Sequence, residues 1–374
     1  MPGWLTWRTR ARSGKANLTP AVRASLIEHG IQHFDEDLLK MPIAQLREHF
    51  GFATTDGIQI GPFFRNVIWQ LYERIQAGDP PEFYKKNGMI RGMWYHIKTP
   101  ISRYKQLRGD RYNLMLAELA TLVRAGLLTY KDFNFRDKDR DNHQIGLENS
   151  HIILMAEKDG FITMMEDFHA LYGVTVITLG GDPSLMSANY LVTNMRDAGI
   201  NLAQEFICFG ITDFDPDGEE TGRVFLRHLK DSGVRRFKSF TQYGQVRDHL
   251  DLIAPKALPP GVDPKDLKYL LKPSVRKEKA PKWVKLTGGI PGLSPRDVLR
   301  YGIESDEFHQ EWIVNIVADA MTPHLHVGQE VVKRRATIKK LEKTMKDFLL
   351  YKVLHPETDG DAARPNVAKP GARR

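Results

Sequence analysis

The sequence predicts an α/β fold in which a helical N-terminal region precedes a parallel sheet. Three stretches carry that reading. Glu205–Phe209 brings a short apolar, partly β-branched run, then Asp213, Asp215 and Asp217 broken by Pro216 and Gly218, then helix-like sequence through Val224, Phe225 and Leu229. His151–Phe161 repeats the pattern: apolar Ile152–Ala156 ends on Glu157, and helix-compatible sequence follows through Met165 and Phe168. Between them Val174–Leu179 is a β-branched strand running into Gly180, Gly181, Asp182 and Pro183. Strand alternating with helix is the signature of parallel sheets.

Composition narrows the class. The chain has 374 residues, 41% of them hydrophobic, enough for two or three domains with real cores. No apolar run approaches the ~20 residues that a membrane helix needs, and the basic N-terminus (Arg8, Arg10, Arg12, Lys15) lacks the apolar core of a secretory signal. One cysteine, Cys208, cannot form an internal disulfide and suits a reducing compartment. The formal charge of +8 and pI near 9.3 favour an acidic partner, of which phosphate backbones are the commonest.

In chain order, residues 1–60 read as a basic arm followed by short helices. Thr19-Pro20 is a helix start, with Val22, Leu26 and Ile27 as its apolar face and Gly30 near its end. Leu38–Phe50, closed by Gly51, is a second short patterned stretch. Residues 61–145 carry three helices. Phe64, Val67, Ile68, Leu71, Tyr72 and Ile75 recur at helical spacing until Gly78-Asp-Pro-Pro81. Met89–Lys98 forms the second, with Asn87 as a cap and Pro100 as the stop. The third opens at Asp110 and runs through Leu114, Leu119 and Val123 to Gly126. Leu127–Tyr130 then reads as a strand. Three helices and a β-wing make a winged helix, a fold that serves either DNA or protein partners. On DNA the third helix enters the groove, with Arg111 and Asn113, and the preceding Arg103, Lys105 and Arg108, near bases or phosphates.

Residues 131–149 are dense in charge and read as a wing tip or linker into the sheet domain, 150–330. Within that domain Asp251–Lys285, rich in Pro and Lys, is expected to be long loops. Residues 331–374 read as an amphipathic basic helix to about residue 350 and a disordered tail from His355. His324 and His326 are spaced like metal ligands, but with no Cys or third His nearby they read as ordinary histidines.

The chemistry lies in the strand ends. Side chains two apart on extended backbone share a face, so Asp213 and Asp215 present two carboxylates at the carboxyl end of a strand, where open α/β sheets place their sites. Such crowding suits a hard cation such as Mg²⁺; equally, an Asp/Gly turn has this composition. The succession AEKDG, LGGDPS, TDFDPDG resembles the Toprim domain of topoisomerases and primases. More closely, it resembles the A subunit of topoisomerase VI and the meiotic recombination-initiating transesterase. The resemblance spans roughly residues 62–310 and implies that Glu157, Asp213 and Asp215 hold Mg²⁺, with Glu304 as a further family acid.

The same family carries a nucleophilic tyrosine on a winged-helix element. In MIRGMWYHIK the match is Arg91, Gly92, Met93, Trp94, Tyr95, with Gly92 where the family has Glu and Trp94 where it has Tyr or Phe. Arg91 and Tyr95, at i and i+4, share a helical face. The alternative is that Trp94 and Tyr95 are wall residues of a helical core. The resemblance implies a homodimeric transesterase of double-stranded DNA with Tyr95 as nucleophile and Arg91 on the phosphate. It also implies a separate ATPase B-type subunit, since the sequence has no nucleotide-binding glycine loop. A cytoplasmic, nucleoid-associated location is expected, or a nuclear one in a eukaryote. Two rivals stand beside it: a Toprim nuclease that cuts DNA with water, and a non-catalytic DNA-binding subunit.

Overall fold

The computed structural model describes residues 20–53, 55–85, 88–107, 109–135, 140–213, 215–242, 265–266, 301–302, 304–326 and 329–354. The N-terminal arm, Arg108, the Pro/Lys-rich stretch apart from Lys265 and Asp266, and the tail from His355 lie outside them. Residues 1–324 form one compact unit and 325–374 a second.

In the first unit, α1 (Pro20–Glu28) begins at the Thr-Pro start, and α2 (Ile43–Phe50) leads into a hairpin, β1 (Gly51–Phe52) with β2 (Thr55–Ile58). Leu26 is buried, but Ile27 is exposed, so the expected apolar face of α1 is narrower by that residue. Next come α3 (Ile60–Gln76), the single turn α4 (Glu82–Lys85), α5 (Ile90–Ile101) and α6 (Tyr112–Arg124). The 3.6-residue spacing of α3 buries Phe63, Phe64, Val67, Ile68 and Leu71 in one core with Met93, Trp94 and Ile97 of α5 and Met115, Leu119 and Leu122 of α6.

Two boundaries differ from expectation. Pro100 does not stop α5, which closes one residue later at Ile101. In the last turn a missing N–H costs one bond only, and Ser102 N–H still reaches the Lys98 carbonyl at 3.0 Å. The strand expected over 127–130 does not form. Thr129 instead makes a capping box with Asp132, whose Oδ2 accepts from both the Thr129 N–H (2.7 Å) and its hydroxyl (2.8 Å), and a 3₁₀ turn follows over Tyr130–Phe133. Nor is the charged stretch after it a free linker. Phe133 and Phe135 are fully buried and stack 5.5 Å apart, and Lys131 pairs with Asp197 at 2.5 Å.

The sheet is five-stranded and mostly parallel, in the order β3 (His143–Gln144), β5 (Val174–Thr178), β4 (Asn149–Ala156), β6 (Glu205–Ile211), β7 (Arg236–Gln242). Only β3, at one edge, is antiparallel. The chain is therefore mixed α/β, a helical region joined to a Rossmann-like sheet. Helices α7 (Ile162–Tyr172), α8 (Leu185–Asp197) and α9 (Pro216–Asp231) alternate with the strands. Ile153 and Met155 of β4, with Phe206 and Cys208 of β6, pack against Leu191, Val192 and Met195 of α8 and Phe225 and Leu229 of α9. That packing explains why Cys208 is a buried, inert thiol. Tyr190 of α8 joins the helical core instead, its hydroxyl donating to the Phe135 carbonyl at 2.6 Å. A short pair, β8 (Lys265–Asp266) with β9 (Tyr301–Gly302), precedes α10 (Gln310–Met321).

In the second unit the described residues from 329 on form one helix, α11 (Gln329–Leu354), where the basic helix is expected. Its Ile338, Leu341, Met345, Phe348 and Leu349 are exposed. Among the described residues no helix is long and apolar enough to cross a membrane.

Candidate active site

Strand register builds the centre of the site. In the parallel pair β4–β6, Ala156 stands opposite Ile211, so both strands end together. The next residue of β4, Glu157, keeps the ladder for one more bond, its N–H donating to the Ile211 carbonyl at 2.9 Å. Two residues past β6, the Asp213 N–H donates to Glu157 Oε2 at 3.1 Å. The two carboxylates predicted from separate strand ends therefore lie together. Gly181, φ +116, closes the neighbouring loop with an N–H to the Glu157 carbonyl at 2.9 Å. That positive φ is cheap only for glycine.

Asp215 takes a different place. It is the N-cap of α9, its Oδ1 accepting from the Gly218 N–H at 2.7 Å, with Pro216 at the first helical position. A Cβ on Gly218 would stand 2.1 Å from the Asp213 carbonyl oxygen, so helix and carboxylate loop approach as closely as they do only because residue 218 has no side chain. Asp213 and Asp215 are 5% and 2% exposed.

Lys158 completes the cluster. Its Nζ lies 3.0 Å from Asp213 Oδ1, 2.5 Å from Glu304 Oε2 and 2.7 Å from Asp306 Oδ1. Ser305, fully buried, adds two more donors to Asp213 Oδ1, N–H and hydroxyl, each at 2.8 Å. Glu304 thus stands in the cluster, paired with Lys158. Lys158, Ser305 and Asp306 were not singled out in the sequence, although Lys158 directly follows Glu157 and the other two directly follow Glu304.

The electrostatics follow from this geometry. Burial pushes Glu157 up to about 7, and the Asp213 and Asp215 charges push the same way, against the Asp213 N–H and Lys158. Burial also opposes the charge on Asp213, but hydrogen bonds with Glu304, Ser305 and Lys158 outweigh it and hold that carboxyl well below the usual range. Burial likewise opposes the charge on Lys158, and its bonds to Asp306, Glu304 and Asp213 keep it firmly protonated.

The donor set around Asp213 is all oxygen, the chemistry a Mg²⁺ ion takes, and a cationic group already stands among these carboxylates. Among the described residues, however, no group of three acidic, histidine or cysteine side chains is arranged to hold a metal ion. Glu157, Asp213 and Glu304 fit a hard cation by chemistry, while Asp215 Oδ1 is engaged in the helix cap. His324 plays another part: its backbone carbonyl accepts from His151 Nε2 at 2.8 Å and its ring lies 6.2 Å from Phe209.

On α5, Trp94 is buried edge-on to Phe64, so it is a core residue. Tyr95 is 54% exposed and is no part of the wall. Arg91 shares its face, the guanidinium 4.9 Å above the Tyr112 ring. A cleft beside it is lined by Arg91, Asp110, Arg111, Tyr112 and Asn113, and Arg111 Nε is buried with no hydrogen-bond partner among the described residues. Arg103 donates to the Leu39 carbonyl at 2.9 Å and lies over Tyr104, while Lys105 is exposed in a 3₁₀ turn, Lys105–Leu107. Among the described residues no hydrogen bond, ion pair or ring contact links Arg91 or Tyr95 to the strand-end carboxylates. The structure assembles two clusters, one acidic and one tyrosine-arginine. No family model matches the chain, and no characterised protein matches its sequence significantly.

Proposed function

We propose that this chain is a DNA-cleaving transesterase similar to the A subunit of topoisomerase VI. The observation that carries the reading is the pairing of Glu157 with Asp213 at the ends of adjacent parallel strands, 3.1 Å apart through the Asp213 N–H. An exposed Tyr95 beside Arg91, and a cleft lined with Arg91, Arg111 and Asn113, support it.

In this reading the Tyr95 hydroxyl attacks a DNA phosphorus. The Oη–P bond forms, the P–O3′ bond breaks, and the tyrosine proton ends on the 3′ oxygen, leaving a 5′-phosphotyrosine. The exchange of one ester for another keeps the break resealable. A phenol near pH 7 is a weak nucleophile. Arg91 offers paired N–H donors to the phosphate and offsets charge that builds there. A Mg²⁺ ion held by Glu157, Asp213 and Glu304 would supply further charge stabilisation at the phosphate. Because no contact joins the tyrosine and acidic clusters among the described residues, a homodimer that pairs one protomer's Tyr95 with its partner's carboxylates is part of the proposal. A separate ATPase subunit would drive strand passage.

The test is to trap cleavage with denaturant and extract with phenol. Wild type should carry DNA into the protein phase. Tyr95→Phe should lose this covalent adduct entirely while binding DNA within about twofold of wild type and keeping stability within ~0.5 kcal/mol, as an exposed side chain should. Free DNA ends in both proteins would favour the second reading, a Toprim nuclease, which the lack of contact between Tyr95 and the carboxylates also fits.

A further inference from the structure

Lys158 has a place that neither the strand pattern nor the tyrosine chemistry explains. Its ammonium has three protons, and three carboxylates surround it: Asp213 at 3.0 Å, Glu304 at 2.5 Å and Asp306 at 2.7 Å. They come from two other parts of the chain, Asp213 after β6 and the Glu304–Asp306 segment, and Lys158 and Asp306 are separated by 148 positions. The Lys158 side chain is 26% exposed, whereas Asp213 beside it is buried. Crowded carboxylates repel, and a tethered ammonium relieves that repulsion with no ion from solution.

We propose that Lys158 is a built-in counter-ion that occupies the cation seat of this cluster and must yield it when a divalent cation binds. The proposal rests on the metal reading given above and says how that site is regulated. Asp213 Oδ1 is the shared oxygen: it cannot give its full charge to Lys158 and to a hard cation at once. The lysine is long, and among the described residues its hold beyond Asp213 is on Glu304 and the mostly exposed Asp306, so it can swing outward without disturbing β4 or β6. Displaced, the ammonium faces solvent beside the site, where a phosphate oxygen would replace the carboxylates as its partner. Lys158 would then hold the cluster closed in the absence of metal and act as a positioning residue for DNA once metal is bound.

The test needs no cleavage. Mn²⁺ binding to the full chain without DNA is followed by electron paramagnetic resonance, with Mg²⁺ competition and thermal melts in parallel. Lys158→Gln is expected to bind Mn²⁺ roughly tenfold more tightly than wild type, about 1.4 kcal/mol. It should melt lower than wild type without metal and regain more on adding it. Lys158→Arg, which keeps the charge, should bind like wild type. Asp306→Asn, at a mostly exposed position, should loosen the lysine and tighten Mn²⁺ binding by about threefold, an intermediate effect consistent with losing one of three anchors. Equal affinity in wild type and Lys158→Gln, or weaker binding in either variant, overturns the proposal while the metal site stands. Absence of binding in all the proteins, each shown folded by circular dichroism, overturns both.

Discussion

The Asp213 backbone N–H donates to Glu157 Oε2 at 3.1 Å, so one carboxylate is held by the backbone of the other. That bond fixes the direction of Glu157 but does not cancel the cost of burying its charge beside two aspartates. With the folded value raised to about 7 from 4.5, the native state binds more protons than the unfolded chain between those values. Stability from this group is therefore complete below pH 4.5 and is lost as pH rises through 7. Glu157→Gln keeps an oxygen for the Asp213 N–H and removes the titration. It is expected to be more stable than wild type by ~1–2 kcal/mol at pH 8, after allowing for partial solvent screening, and equal to it at pH 4.5. Denaturant melts across that range check both the size and the sign; an unchanged pH slope would show that the carboxylate is not strained.

Two glycines should respond in opposite ways. Among the described residues a Cβ at Gly92, within helix α5, would meet only Phe83 Cβ, at an ordinary 3.5 Å. Gly92→Ala should therefore stabilise by ~0.5–1 kcal/mol through helix propensity alone. A Cβ at Gly218 meets the Asp213 carbonyl oxygen at 2.1 Å, so Gly218→Ala must push α9 off the site and should cost ~2–3 kcal/mol. Chemical denaturation of both variants side by side gives the contrast directly.

His143 should limit stability in mild acid. Its Nε2 accepts from the Asn194 amide at 2.9 Å, an orientation fixed by Lys131 Nζ donating to Asn194 Oδ1 at 3.2 Å. Its Nδ1–H donates to Asn142 Oδ1 at 3.3 Å. Burial pushes its value down to about 4; Asp141 opposes this and Lys131 adds to it. The unfolded chain then binds the extra proton between pH 6.5 and 4, so stability is full above 6.5 and falls on acidification. The loss should reach ~2 kcal/mol at pH 4, and His143→Asn should flatten that limb of a pH–stability curve.

Mixed protomers decide whether the active site is shared between chains. Tyr95→Phe and Glu157→Ala should each be inactive alone. A verified heterodimer of the two keeps one intact pairing, Tyr95 of one protomer with Glu157 of its partner, and is expected to nick one strand. No nicking, under conditions where wild type cuts both strands, would place each site within a single chain.

Much of this was legible in the sequence because it is local. The ends of β4 and β6 are marked by apolar runs that stop on Glu157 and just before Asp213, and the start of α9 by Asp215-Pro216, a cap and a first-turn proline. The helices α3, α5 and α6 follow from spacing. What escaped is non-local or depends on competition. Lys158, Ser305 and Asp306 meet Asp213 across long stretches of chain, and no periodicity encodes such a meeting. The strand expected at 127–130 had the right residue types, but Thr129 and Asp132 three positions apart satisfy each other's backbone and stop it. Phe133 and Phe135 were hidden among charges, and Tyr190, which anchors the Phe135 carbonyl, lies more than fifty residues downstream.

The match of Ala156 with Ile211 also ties chemistry to the greasy part of the molecule. Slipping β6 by a single position along β4 would turn Asp213 to the opposite side of the sheet and would also drive Phe206 and Cys208 out of their packing against α8 and α9. The sorting of oily side chains between the two sides of the sheet therefore forbids the misalignment that would scatter the acids. The spacing of the carboxylates is thus kept by residues that never touch them, and drift in those hydrophobic positions would be felt first as lost alignment of the acidic pair.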